Sequence, residues 1–442
     1  MTHHAPIERL VDLLDPQANL LFNVSLDEAK RRVARGAAEA VRQIDGQFAF
    51  VEKDGITVRM ARSIGRPMRY FLAKRVEGPC LIVAERMEEI AAYLEREGLR
   101  DQFHPSYTRM VPAHHIMTLR LVGCPDPNPT LTRFLNPQPD RWSTDLDELG
   151  QRYIGAVAES IERWLDQVDS QEPLGVLFSG GIDSGAVFLT LYHALLKRGQ
   201  SPARLKAFTL SVEGAGADLE QAKRFLETLD LGLFLEVFNV SRDAICYRDA
   251  IAATEDYKPL DVQAATMALA LCRAIRQRYP DWKHLIDGDG GDENLKDYAI
   301  EENSELTIRS VLGNRLLYHE GWGVDAVKHS LTYSGGQSRG HVRTYMPARQ
   351  LGFVGFSPYA LPNVIEVAEG IPFVALTDWQ PERLYALKGE IVRRGIAWLT
   401  GWNMPIYPKR RFQRGAVDDQ RFTQLFPKEE RAYRRVFAEL YG

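Results

Sequence analysis

Residues 174–191 read "LGVLFSGGIDSGAVFLTL", an apolar run broken at its centre by Ser179-Gly180-Gly181-Ile182-Asp183-Ser184. These residue types suit a phosphate. Gly180 and Gly181 have no Cβ, so the backbone can turn sharply and bring its N–H groups close to an anion. Ser179 and Ser184 add hydroxyl donors, and a helix that follows points its positive end at the same place. Asp183 is the odd member, because a carboxylate repels phosphate unless a cation lies between them, and that calls for Mg²⁺. A lone Gly-Gly would be no more than a strand-to-helix turn with a serine or aspartate cap. The whole hexapeptide, set between an apolar strand and an apolar helix, points to phosphate binding.

The elements around the motif place it. "LGVLF" reads as a strand and "SGAVFLTLYHALLKRG" as a helix ending at Gly199. "LKAFTLSV", "FLEVFNV" and "KHLIDG" read as further strands, separated by the helical patterns "DLEQAKRFLETLD" and "VQAATMALALCRAIRQRY". That alternation predicts a parallel sheet with helices on both faces, in which ligands sit beyond the carboxyl ends of the strands. A helix precedes the motif, with Leu149, Ile154, Val157, Ile161 and Leu165 at helical spacing. The last 140 or so residues are mostly helical by pattern. Up to about residue 135 the segments are short and strand-like, with turns at Lys53-Asp54-Gly55 and Glu77-Gly78-Pro79. Residues 128–145 gather proline and asparagine with little periodicity, so a boundary is placed near residue 140, giving domains 1–140 and 141–442.

The 442 residues suffice for two or three domains at about 100–200 residues each. A composition of 45% hydrophobic and 26% charged residues, with net charge −4 and no long block of one sign, gives no reason to expect nucleic acid. No apolar stretch approaches the roughly 18 residues of a membrane span, and the start has no basic region followed by an apolar core. The expectation is a cytoplasmic protein without a membrane partner. Cys80, Cys124, Cys246 and Cys272 form no CxxC pair and read as free thiols. His3-His4 and His114-His115 are adjacent pairs, whose members point to opposite faces of a strand, so a metal held by His or Cys is not expected.

The chain from residue 174 onward resembles the asparagine synthetase superfamily, whose ATP pyrophosphatase domain carries S-G-G-x-D-S in this setting. "LKAFTLSVEG" with Asp218 and Ala222 resembles the family's second strand and the start of its next helix, where backbone groups hold adenine; this implies Leu210 for the nucleotide. "LIDGDGGDENLKDY" resembles the family's G-E-G-x-D-E-L-F-G-G-Y signature, with Gly288, Gly290, Asp292, Glu293 and Tyr298 in matching positions. "RTYMPARQLGFVGFSPY" places Arg343, Gly352 and Pro358 in register with the following helical segment. "YPKRRF" resembles the late R-x-K-x-x-F element and places Lys409 on the family's catalytic lysine, although alone it would read as a solvated basic loop. In the first half, "IDGQFAF", "RSIGRPMRYFLA" and "LIVAERMEEIAAYL" resemble glutaminase segments.

The resemblance implies an α/β protein in which an N-terminal-nucleophile domain of αββα type is followed by a parallel-sheet ATP pyrophosphatase, or adenine nucleotide α-hydrolase-like, synthetase domain. It implies a C–N ligase that adenylates a carboxylate and releases AMP and pyrophosphate. ATP phosphates would lie on Ser179, Gly180, Gly181, Ser184 and Gly288, with Mg²⁺ on Asp183 and Asp292. Lys409 would face the charge that develops as an amine attacks the adenylate. Asp289, where asparagine synthetases carry glutamate, would take the amine's proton, or help to bind metal. The first domain is expected to be degenerate: residue 2 is Thr2, where glutaminases need a cysteine nucleophile. The segment "DVQAATMALALC" departs from the aspartate-binding pattern, and Leu295-Lys296-Asp297 replaces the F-G-G stretch. The partners are therefore expected to be a small-molecule or peptide carboxylate other than aspartate and an amine whose source is not glutamine, within the same substrate or separate; a homodimer stays open. The runner-up is ammonia-dependent asparagine synthesis. A different class of reading is an ATP-binding pseudoenzyme that serves as a partner subunit.

Overall fold

The computed structural model describes residues 8–125, 129–214, 216–297, 307–313, 315, 339–408, 415, 416 and 419–442. Two units separate between Asn136 and Pro137, with Ala438–Gly442 belonging to the first.

The second unit is built on five strands, all parallel, in the spatial order Leu235–Val240, Leu205–Val212, Leu174–Leu177, His284–Ile286, Val354–Phe356. Leu174–Leu177 lies at the centre and is buried almost throughout, which explains its unbroken apolar pattern. Gly175 is required there, because a Cβ would meet the Phe208 ring at 2.4 Å. On one face Phe208, Leu210 and Val212, alternate residues of their strand, pack with Met267, Leu271 and Ile275 of helix Pro259–Arg278. Helix Ile182–Lys197 follows the central strand and abuts helix Ala217–Thr228, where a Cβ on Gly185 would meet the Phe225 ring at 2.6 Å. Helix Leu146–Leu165 starts on Asp145, whose carboxylate accepts from the Asp147 and Glu148 N–H groups at 2.8 and 3.3 Å. The alternation of strands and helices up to His284–Ile286 is as the sequence pattern predicts. Val354–Phe356 is a fifth strand inside the stretch expected to be mostly helical; three residues are too few to give a period.

In sequence order the strands run 3-2-1-4-5, so the order reverses between Leu174–Leu177 and His284–Ile286. At such a switch point the loops leaving the two strands diverge to opposite sides and open a crevice at the carboxyl edge.

In the first unit two sheets face each other. One has the order Leu10–Asp12, Cys80–Ala84, Arg69–Ala73, Arg109–Met110; the other runs Cys124–Pro125, His115–Val122, Thr57–Arg62, Ala49–Asp54, with Thr130–Arg133 also paired to His115–Val122. Residues two apart, Val58 and Met60, Leu81 and Val83, Met117 and Leu119, meet in one apolar cluster. Helix Leu26–Arg35 lies against Ala49–Asp54, and helix Met87–Arg96 against Cys80–Ala84, so the layers run helix, sheet, sheet, helix. The turn expected near Asp54-Gly55 is a two-residue hairpin, with Gly55 at φ +59° as such a turn demands. Among the described residues no helix is long and apolar enough to cross a membrane.

Candidate active site

The switch-point crevice brings together two of the motifs. The loop after Leu174–Leu177 carries Ser179, Gly180 and Gly181, and Gly181 caps helix Ile182–Lys197. Gly180 sits at φ +71°, and a Cβ there would meet the Ala222 backbone at 2.8 Å, so only glycine fits the turn. Ser179 Oγ and Ser184 Oγ lie 3.2 Å apart, and Ser179 Oγ accepts from the Gly181 N–H at 3.3 Å. The loop after His284–Ile286 lies against this turn. A Cβ on Gly288 would meet the Ser184 nitrogen at 2.8 Å, and one on Gly291 would meet Asp183 Oδ1 at 2.2 Å. Two segments more than a hundred residues apart thus touch through glycine, and Asp183 and Asp292 converge as a result.

What they converge on is Lys388. Its Nζ donates to Asp183 Oδ2 at 2.5 Å and to Asp292 Oδ1, and lies 3.5 Å from Asp297 Oδ2. Burial works to lower the Lys388 pKa, but Asp183, Asp292 and Asp297 outweigh it and push it well above the ordinary lysine value. Burial pushes the Asp183 carboxyl up to about 7, against the pull of Lys388 and with the Asp292 charge adding to the rise. Asp183 Oδ1 has no hydrogen-bond partner. Behind the cage Tyr359 donates to the Asp183 carbonyl at 3.3 Å and stacks on Tyr153, ring centroids 5.9 Å apart.

Lys388 is the residue that motif reading missed, and its signal was present. It sits on helix Arg383–Thr400 in line with Leu384, Ile391 and Gly395, a lysine on an apolar stripe. Gly395 fixes that helix against Leu146–Leu165: a Cβ there would meet the Gly150 carbonyl oxygen at 2.3 Å. Two turns earlier the same face delivers Lys388 into the crevice.

Two carboxylates beside a phosphate-type turn fit a hard divalent cation, which usually takes one or two protein carboxylates and completes its shell with phosphate oxygens and water. The orphaned Asp183 Oδ1 is a free oxygen for such an ion. Among the described residues no three His, Cys, Asp or Glu side chains converge as a metal site, so the cation would depend on the nucleotide for further ligands.

Asp289 lies on the same loop. Burial, then the neighbouring Asp287 carboxylate, pushes its carboxyl well above the usual range, opposed by a Thr344 hydrogen bond and by Arg343. Its Oδ2 has no hydrogen-bond partner, and its carbonyl accepts from Ser357 Oγ at 2.5 Å. Arg343 is held by Asp261, with Nε and Nη2 at 3.0 and 2.9 Å from one oxygen, so it is an ion-pair arginine. Leu210 has its side chain in the core, but its backbone runs two residues past the last pairing with Leu174–Leu177, at Leu177 and Phe208. Gly352 takes φ +75° just after helix Arg339–Gln350, and Pro358 opens a short turn. Lys409 and Tyr298 lie outside the described residues, as does Thr2.

In the first unit "IDGQFAF" and "RSIGRP" also meet. Ser63 Oγ accepts from the Phe48 N–H at 2.9 Å, and a Cβ on Gly65 would strike the Gln47 side chain at 2.7 Å. Cys80 and Cys272 are buried free thiols, and Cys246 is a half-buried one.

The asparagine synthase family model matches residues 156–330, the stretch that contains both loops of the crevice. This match, together with the asparagine synthetases among the relatives, supports membership of the asparagine synthetase superfamily. Among curated superfamily relatives, the nodule asparagine synthetase (glutamine-hydrolyzing) of Pisum sativum is 32% identical over 149 residues, 31% of this chain and 25% of its own. The amidase chry2 of Gibberella zeae is 26% identical over 282 residues, 58% of this chain and 40% of its own. The amidase chyE of Penicillium rubens is 24% identical over 283 residues, with the same shares. The chain spans a quarter to two fifths of the length of these relatives.

Proposed function

We propose that the chain is an ATP- and Mg²⁺-dependent ligase that adenylates a carboxylate and passes the acyl group to an amine whose source is not glutamine, with AMP and pyrophosphate as the other products. The observation that carries this reading is the convergence of Asp183 and Asp292 on one buried cation at the switch point, beside a glycine turn suited to phosphates. Superfamily membership supports it, as do relatives whose names denote asparagine synthesis and amidase activity.

In this reading Asp183 and Asp292 hold the divalent cation, which supplies charge neutralisation on the pyrophosphate group. The Ser179–Ser184 turn presents N–H and hydroxyl donors to the phosphates, and Lys388, behind the two carboxylates, adds positive charge to the site that receives them. Asp289, whose carboxyl is pushed above the usual range by burial and then by Asp287, would take the proton of the attacking amine. Lys409 would stabilise the oxyanion of that step. The helix–sheet–sheet–helix layering of the first unit supports a glutaminase-like domain. Without ammonia from glutamine, the amine is a separate one or lies within the same substrate, which would give a lactam or peptide-type product.

The test is carboxylate-dependent exchange of labelled pyrophosphate into ATP with amine withheld. Exchange that needs both Mg²⁺ and one member of a panel of small-molecule and peptide carboxylates is expected. Cleavage of ATP to ADP and orthophosphate would overturn the reading.

A further inference from the structure

We infer that Asp297 is a positioning residue for Lys388: it holds the ammonium at the closed end of the cage and so frees Asp183 and Asp292 for a divalent cation. The inference rests on the proposed metal–nucleotide site and goes beyond it. Three carboxylates surround Lys388, and their exposure is graded. The Lys388 side chain is 2% exposed and Asp297 5%, whereas Asp183 is 20% and Asp292 40% exposed. Solvent, and any ligand, therefore reaches the cage from the side of Asp183 and Asp292. Asp297 closes the inner side.

The local sequence builds this. The Asp297 N–H donates to the Asp292 carbonyl at 3.0 Å, which closes a tight loop and sends both carboxylates toward the same lysine. Lys296, between them in the fold, takes the left-handed conformation at φ +57°, one that L side chains rarely adopt. It is held by an ion pair with Glu369, both side chains being almost fully buried. A strained residue anchored on another helix fixes the direction of its neighbour, and that neighbour is Asp297.

The consequence concerns what happens to a buried ammonium when a cation arrives. A doubly charged ion between Asp183 and Asp292 takes both of those partners from Lys388 and repels it. A buried cation left without a partner is strongly unfavourable. Asp297, already 3.5 Å away, is the partner that remains. Removing its charge should force Lys388 and the metal to compete for the same two carboxylates.

The test is titration of the full chain with Mn²⁺, read by the paramagnetic resonance of the free ion, with and without ATP. Asp297→Asn should weaken Mn²⁺ by about tenfold. In the background of Lys388→Met the same change should have less than about a twofold effect, because the competitor is gone. Equal weakening in both backgrounds would mean that Asp297 acts only as a distant charge, and the inference falls. Should Lys388→Met not fold, Glu293→Gln serves as the comparison. It removes a buried carboxylate of the same loop that makes no ion pair with Lys388, and weakening equal to that of Asp297→Asn also overturns the inference. No Mn²⁺ binding to the unaltered chain, even with ATP, would remove the metal–nucleotide reading itself.

Discussion

Arg62 and Arg66 in the first unit and Lys388 in the second are all buried cations, and their surroundings differ in kind. Arg62 donates to the carbonyls of Val111 at 2.6 Å and Arg66 at 3.2 Å, and Arg66 pairs with Glu85 at 3.0 Å and reaches the Asp15 carbonyl at 3.4 Å. Backbone carbonyls cannot leave. Their arginines hold the shape of the "RSIGRP" loop, Arg62 through fixed carbonyls and Arg66 with the Glu85 carboxylate beside it. Lys388 instead faces three carboxylates, so its cage carries an excess of negative charge and opens to solvent through Asp183 and Asp292. Carboxylates can exchange one cation for another. On the proposed reading, the comparison separates charge buried for shape from charge buried for a ligand.

The largest effect should come from the exchangeable side. Asp183→Asn keeps the size and one acceptor but removes a proposed metal ligand, and carboxylate-dependent pyrophosphate release should fall by about a hundredfold or more. A thermal melt should change little. Retained turnover would break the comparison at its functional end.

The next effect is in stability. Arg66→Met breaks the buried ion pair with Glu85, which costs about 3 kcal/mol or more in unfolding by urea. Pyrophosphate release per folded molecule should stay unchanged. A fall in turnover with the fold intact would mean that the "RSIGRP" loop does more than hold shape.

Four of the five parallel strands were legible in the sequence: Leu174–Leu177 and His284–Ile286, buried on both faces, as short apolar runs, Leu205–Val212 as a mostly apolar one, and the edge strand Leu235–Val240 by apolar residues interspersed with polar Glu236 and Asn239. The three-residue Val354–Phe356 was not, since its identity comes from pairing with His284–Ile286. Gly180 and Gly288 were legible because residue type alone announces a close backbone approach. Lys388 was not, because no motif surrounds it; only its place on the apolar stripe of Arg383–Thr400 sets it apart, and that acquires meaning once Gly395 is seen against Gly150. Asp297 stands out in the sequence only as a departure from the family pattern. Its role depends on a lysine some ninety positions later, a relation that spacing cannot express.

The smallest effect sharpens the comparison by its sign. Asp287 lies at the end of the His284–Ile286 strand, and burial pushes its carboxyl up to about 7, only partly offset by hydrogen bonds from the Asp289 N–H and from Ser357. Its folded value exceeds the ordinary aspartate value of 3.8, so the stability it contributes is full below that value and is lost as pH rises through about 7. At pH 8 the ionised side chain is therefore a liability. Asp287→Asn keeps an acceptor for Asp289 without the charge, and should be more stable than the unaltered chain by about 1–2 kcal/mol at pH 8, with the gain shrinking as pH falls toward 4. Urea unfolding at several pH values measures this directly. Where the first unit loses stability when a buried charge is removed, the second should gain it, because the Asp287 carboxylate is held against its own desolvation. A loss at pH 8, or a difference that ignores pH, would place Asp287 with Arg62 and Arg66 among the charges buried for shape.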